Sequence, residues 1–246
     1  MKSPALPSPR TRMVQAALTL LETGGVEAVS TRAVSAAAEV QPPTIYRHFG
    51  DMQGLLNEVA STGFTAYLRE KGARATLSDP VEQLREGWNL HVEFGLTHPH
   101  LYRLMYGAAQ AGAGPSGSSW PAAQEGTAML HQLLQRVAEA GRLAVSVDRA
   151  AAMVHGAALG VTLSLLSAPV KDPALPDLML SAVLTAILTP DPAAVTGPAL
   201  GPDSDSATPQ AAAHAVSLVA LLPNLKAPFS DAEQRLLTEW LHRLIS

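Results

Sequence analysis

Three short helical runs fill the first fifty residues, each bounded by residues that start or stop a helix, and this pattern constrains the chain more than any other. Ser8 can cap the first run, Pro9 stands at its first helical position, and Gly24-Gly25 closes it. Val14, Ala17, Leu18 and Leu21 recur at helical spacing and give that run one apolar face. The second run starts at Ser30, with Val29 and Val34 placed to pack across the cap as a hydrophobic staple, and reaches about Ala38. The third opens at Pro42-Pro43, where missing N–H groups cost little because first-turn donors have no partner inside the helix. Three such helices in so few residues predict a compact head.

Longer helices are expected beyond it, near 51–74, 80–97, 99–106, 121–141, 148–168, 174–189, 208–222 and 230–245. Asp79-Pro80-Val81-Glu82 and Ser230-Asp231-Ala232-Glu233 are capping boxes or close relatives of one, so they mark two of these starts most firmly. No segment alternates with period two over a useful length, and the expected fold is all-α. Gly112 to Ser119 has loop composition. Thr189 to Gln210 carries Pro190, Pro192, Pro198, Pro202 and Pro209 and is expected to be an extended or disordered linker. The expected division is a head over residues 1–50 and a larger helical domain over 51–246, interrupted by a flexible Pro-rich linker at 190–210.

Net charge is −4, which argues against a nucleic-acid partner until its distribution is considered. Residues 1–50 hold Lys2, Arg10, Arg12, Arg32 and Arg47 against Glu22, Glu27 and Glu39, so the head is positive while the remainder is acidic. Hydrophobic residues make up 47% of the chain but aromatics only 4%, so the core must be aliphatic. There is no cysteine, which excludes disulfides and thiolate metal sites. The N-terminal stretch has no apolar signal-peptide core, and a cytoplasmic location is expected.

The most informative stretch is Ser30 to Leu56, STRAVSAAAEVQPPTIYRHFGDMQGLL. An α-helix fits the major groove of DNA, and side chains near its N-terminus reach base edges. In the helix opening at Pro42, Pro43, Thr44 and Arg47 are exposed early positions, while Ile45 and Phe49 share a buried face. Arg47 has the bidentate fork for guanine O6 and N7, and Pro42, Pro43 and the Thr44 methyl offer apolar contact to thymine methyls. Gln41, just ahead of the helix, belongs to the same candidate surface. Tyr46, His48 and Thr31 are better placed for phosphates.

Thr31, Arg32, Val34, Ala38, Val40, Thr44, Ile45, Tyr46, His48, Phe49 and Leu55 match the helix-turn-helix pattern of the tetracycline repressor (TetR) family, which the chain resembles over about a fifth of its length. The resemblance implies a homodimeric regulator, usually a repressor, that binds a double-stranded DNA operator and senses a small molecule; it also implies that Arg32 reaches a base. Two positions depart from the pattern. The family's turn glycine is Glu39, where a left-handed conformation without glycine carries a steric cost of about 1 kcal/mol or more. The family's phosphate-contacting lysine is Met52, which removes one counterion-release contact per subunit. A second reading is therefore a helical ligand-binding protein whose head has weakened or lost its grip on DNA.

For the implied effector site the candidates are Trp88, His91, Phe94, Tyr102, Met105, Tyr106, Trp120, Met129 and His155. Each is core as readily as ligand contact, but their concentration in an aromatic-poor chain favours a cavity there. Val154-His155-Gly156 resembles a Trp-His-Gly type of C-terminal domain in the family, although Met153 departs from that signature. Ala150 to Val170 carries no charge and holds Gly156-x-x-x-Gly160. Its Ala, Ser and Thr content and His155 favour a buried helix at a dimer interface over a membrane span. His91, His98 and His100 have no further ligand at an orthodox zinc spacing, so no metal is expected. No G-x-S-x-G, phosphate loop, dinucleotide fingerprint or H-E-x-x-H occurs, so neither enzymatic activity nor a cofactor is expected.

Overall fold

The computed structural model describes residues 7–73, 77–110, 121–189, 207–224 and 229–245. Within these the chain is helical, and no strand occurs: α1 (Pro9–Gly24), α2 (Thr31–Ala37), α3 (Pro42–Phe49), α4 (Met52–Ala73), α5 (Pro80–Thr97), α6 (Pro99–Gln110), α7 (Pro121–Glu139), α8 (Val147–Ser167), α9 (Leu175–Ile187), α10 (Ala207–Leu221) and α11 (Asp231–Ile245). The all-α expectation holds. The expected loop at 112–119 lies outside the described residues.

Local chemistry explains most of the boundaries. The Ser8 hydroxyl accepts from Thr11 N–H at the start of α1, and Gly25 ends that helix at φ +71°. Ser30 accepts from Ala33 N–H to cap α2, and the staple residues Val29 and Val34 are both buried. Asp79 caps α5 by accepting from Val81 N–H at 2.8 Å. At α11 the box is reciprocal: Ser230 N–H donates to Glu233 Oε2 at 2.8 Å and Glu233 N–H donates to Ser230 Oγ at 3.4 Å.

The largest differences from expectation are at the end of α6 and in the expected linker; α7 and α9 each end two residues early. α6 continues through Gly107 to Gln110, where Ala108 and Ala109 are strong helix formers that offset the glycine. α10 begins at Ala207, so the last four residues of the expected linker are helical; residues 190–206 lie outside the described residues. Pro209 is tolerated there because a proline in the first turn removes an N–H that has no helical partner.

The chain divides into two compact units. The first joins residues 1–75, 90–126 and 165–168. Its core gathers Met13, Val14, Ala17 and Leu21 of α1, Val34 of α2, Ile45 of α3, Leu55, Leu56, Val59 and Ala60 of α4, and Leu101 and Leu104 of α6. The second joins residues 76–89, 127–164 and 169–246. In it Ala144 N–H donates to Ile187 O and Thr189 N–H to Arg142 O, tying the loop after α7 to the end of α9. α8 is long and apolar enough to cross a membrane by length and composition, but Ala150, Ala151, Val154, Ala158 and Val161 bury one side of it in the unit.

Candidate nucleic-acid interface and aromatic cluster

α3 stands between two fixed ends. Gln41 is its N-cap residue, without a side-chain cap bond, and Pro42 and Pro43 follow with φ preset for the helix. Gly50 closes it at φ +80°, where an L side chain is strained. Four residues later Gly54 is equally constrained: an added Cβ would stand 2.0 Å from the carbonyl oxygen of Phe49. That backbone contact fixes how α3 joins α4.

Only one side of α3 meets the core. Ile45 is fully buried, Thr44 and Phe49 are half-buried, and Gln41, Pro42, Pro43, Tyr46, Arg47 and His48 are exposed. Arg32 is exposed and Thr31 half-buried on α2. The Thr31 hydroxyl lies 3.3 Å from the Tyr46 hydroxyl, so the two sites first grouped by sequence are joined at the surface. All nine residues thus lie on α2, α3 or the turn between them.

The turn between α2 and α3 keeps its left-handed residue. Glu39 has φ +53° and is the only non-glycine among the described residues with positive φ. Its strain is contained because Val40 N–H donates to Ser35 O and Arg12 Nε donates to Ala38 O at 3.0 Å, clamping the turn to α1. Arg10 reaches across to Glu58 at 2.7 Å and lies over the Phe49 ring, which pins α1 to α3 and α4. Met52 is half-buried against this core, so an apolar contact has taken the position of the expected cation.

Residues 14–59 match the family model of bacterial regulatory proteins of the tetR family. This segment, about a fifth of the chain, is similar to the DNA-binding head of that family. The TetR fold recurs in solved structures: a protein of unknown function from Rhodococcus sp. RHA1 is 25% identical, with a TM-score of 0.58, covering 77% of this chain and 100% of that one. A TetR-family transcriptional regulator from Agrobacterium tumefaciens is 20% identical (TM-score 0.55; 74% and 98% covered), and a putative one from Shewanella sp. PV-4 is 15% identical (0.56; 75% and 100%). No curated protein matches in sequence. The matched segment runs from α1 into α4 and contains α2, the Glu39 turn and α3, which stand where that family's model has its helix-turn-helix.

The first unit also holds a dense aromatic group. Tyr67 lies 4.5 Å from Phe94 and 5.7 Å from Phe64 between ring centroids; Tyr102 lies 4.7 Å from Tyr106 and 5.5 Å from His91. His91 Nε2 and the Tyr102 hydroxyl are hydrogen-bonded at 2.7 Å. The group therefore collects His91, Phe94, Tyr102 and Tyr106 from the expected cavity residues. It adds Phe64 and Tyr67, which lie outside the expected set. The criterion that selected Phe94, an aromatic in an aromatic-poor helix, applied equally to both. Met105 packs instead against the core of the head.

Burial pushes the Tyr106 phenol up to about 12 and the Tyr67 phenol further still, with Tyr106 and Glu70 adding to the latter. Both keep their protons. Tyr67 is 5% exposed, and its hydroxyl has no hydrogen-bond partner among the described residues. Trp88 is buried and Met129 half-buried in the second unit, His155 is exposed on α8, and Trp120 lies outside the described residues. His98 pairs with Glu22 and His91 with Tyr102, so these two histidines serve separate contacts.

Proposed function

We propose that the chain is a repressor that binds a roughly palindromic duplex as a two-fold dimer and leaves it when a small molecule binds. One observation carries the reading. α3 buries Ile45 and holds Pro42, Pro43, Tyr46, Arg47 and His48 outward as one continuous surface, the arrangement a recognition helix needs in a major groove. Arg47 reads guanine, Gln41, Pro42, Pro43 and Thr44 face base edges, Arg32 reaches a base from α2, and Thr31, Tyr46 and His48 bind phosphates. Residues 1–50 supply the binding head, and 51–246 supply sensing and dimerisation. DNA sets the location as cytoplasmic.

The dimer contact is proposed on α8. Ala152, His155, Gly156, Gly160 and Ser164 are exposed along one strip, and nothing lies within 4 Å of a Cβ added at either glycine. Such a strip lets a second helix approach closely, and a two-fold axis supplies its copy. His155 is assigned to this contact rather than to the effector. The effector is proposed to meet the group around His91, Phe94, Tyr102 and Tyr106, where the Tyr67 hydroxyl offers an unused hydrogen bond. The test is selection of bound duplexes from a random library. Enrichment of an inverted repeat with half-sites about one helical turn apart supports the reading; recovery of sequences with no common element overturns it.

A further inference from the structure

Among the described residues, two donors on α4 beside the aromatic group have no partner. Tyr67 and Leu68 lie on the buried face of this helix, and Lys71, one turn beyond Tyr67, continues that face and is half-buried. The Tyr67 hydroxyl is buried without a hydrogen bond. Lys71 makes neither a hydrogen bond nor an ion pair, and burial lowers its amine below the usual value. Glu70, the nearest carboxylate in sequence, stands on the exposed side of the helix. Buried donors and desolvated charges are ordinarily satisfied, so two unsatisfied groups one turn apart point to a ligand that supplies the acceptors.

The surroundings limit what that ligand can be. Phe94 lies 4.5 Å from Tyr67, and Tyr106 lies 4.7 Å from Tyr102, between ring centroids. His91, Phe94 and Tyr106 are each half-buried, so the group is not closed off from solvent. These rings offer faces on which a flat aromatic body can stack. His91 Nε2 and the Tyr102 hydroxyl already hold each other at 2.7 Å and serve as wall. That leaves the two donors of α4. Burial pushes the Tyr67 phenol up, so it keeps its proton and donates. An anion beside Lys71 offsets the cost of desolvating its charge. One hydroxyl and one ammonium match the two oxygens of a carboxylate. A phosphate monoester, with three acceptor oxygens and more charge, would need further donors.

We propose that the effector is a small aromatic carboxylic acid bound in its ionised form, with Tyr67 and Lys71 on the carboxylate and the rings of Phe94 and Tyr106 on its aromatic body. The proposal rests on the reading that an effector meets this aromatic group, and it adds the chemical class. Charge recognition comes from Lys71, and the Tyr67 hydroxyl fixes the orientation of the carboxylate against the rings.

Titration calorimetry of the full chain tests this with benzoate and phenylacetate against their neutral counterparts, benzamide and phenylacetamide. At least one acid is expected to bind about tenfold or more tightly than its amide. Lys71→Met keeps the apolar stem and removes the charge, so it should abolish that preference while leaving the amide unchanged. Tyr67→Phe removes one hydrogen bond to the carboxylate and should weaken the acid by about fivefold or more. Neither change removes a bond the fold makes; if one of the variants is nevertheless unfolded, the comparison of acid with amide on the wild-type chain decides alone. Amides that bind as tightly as the acids, with Tyr67→Phe still weakening them, overturn the acid class and leave the effector at the aromatic group. Acid binding that neither substitution changes puts the ligand elsewhere and overturns both. No binding of any of the four probes at millimolar concentration also overturns the proposal.

Discussion

Arg47 stands on the outward side of α3, and the basic residues nearest it in sequence, Arg32 and His48, are also exposed. Arg47→Ala is expected to cost about 1–3 kcal/mol of operator affinity and to relax specificity at one base pair, measured by a shift assay against single-base operator variants. Glu39 is a different case, because its cost is conformational. Its φ of +53° shows that the turn accepts the left-handed strain rather than rearranging. Glu39→Gly should raise stability by about 0.5–1 kcal/mol, the strain relieved being partly offset by glycine's larger unfolded-state entropy. Denaturant midpoints read this; an unchanged or lower midpoint removes the strain argument. Met52 is half-buried, yet a lysine there can lay its stem on the same apolar surface and bring its amine to solvent. Met52→Lys should strengthen binding to unrelated sequences alike and steepen the salt dependence by about one unit per subunit. A slope unchanged at low salt would show that the head sits on DNA in another register.

Among the elements, α5 depends most openly on a charge. Asp79 accepts from Val81 N–H and pairs with Arg142 at 3.2 Å, and the Val81 bond first, then the arginine, hold its carboxyl below the usual value. A depressed carboxyl stabilises the fold above its unfolded-state value and loses that contribution as pH falls through the lower folded value. The wild-type chain should therefore lose stability on acidification below about pH 4 more steeply than Asp79→Asn, whose cap does not titrate. Parallel acid melts of the two proteins would refute this. α11 gains its definition from the Ser230–Glu233 box, whose effect is to fix which residues face outward on the helix that follows.

For the whole molecule, the contact proposed on α8 would link association to DNA binding. Gly160→Leu inserts a branched side chain into the open strip and should give monomers in sedimentation, with operator affinity falling in the same variant because one half-site is lost. A folded, dimeric and fully binding Gly160→Leu protein would move the dimer contact elsewhere, and α11 with Leu236, Trp240 and Leu244 is the next face to examine.

Helices, caps and the head were legible in the sequence because each depends on neighbours within one or two turns. Ser8, Ser30, Asp79 and Ser230 satisfy donors no more than three residues away, and Ile45 must face inward once α3 exists. The left-handed Glu39 followed only from the resemblance, which places a turn glycine at that position. What lay beyond that range needed the tertiary fold. Phe64 and Tyr67 join His91 and Tyr102 only because α4, α5 and α6 fold side by side, and no spacing along the chain encodes that meeting. Likewise the pattern marks six large apolar residues on α11 but not which side is used. Packing on α10 buries Leu241 and part of Leu237, and leaves Leu236, Trp240 and Leu244 to solvent. A sequence determines structure directly where the deciding interactions are local; where burial comes from a distant segment, only the folded chain decides which face is covered.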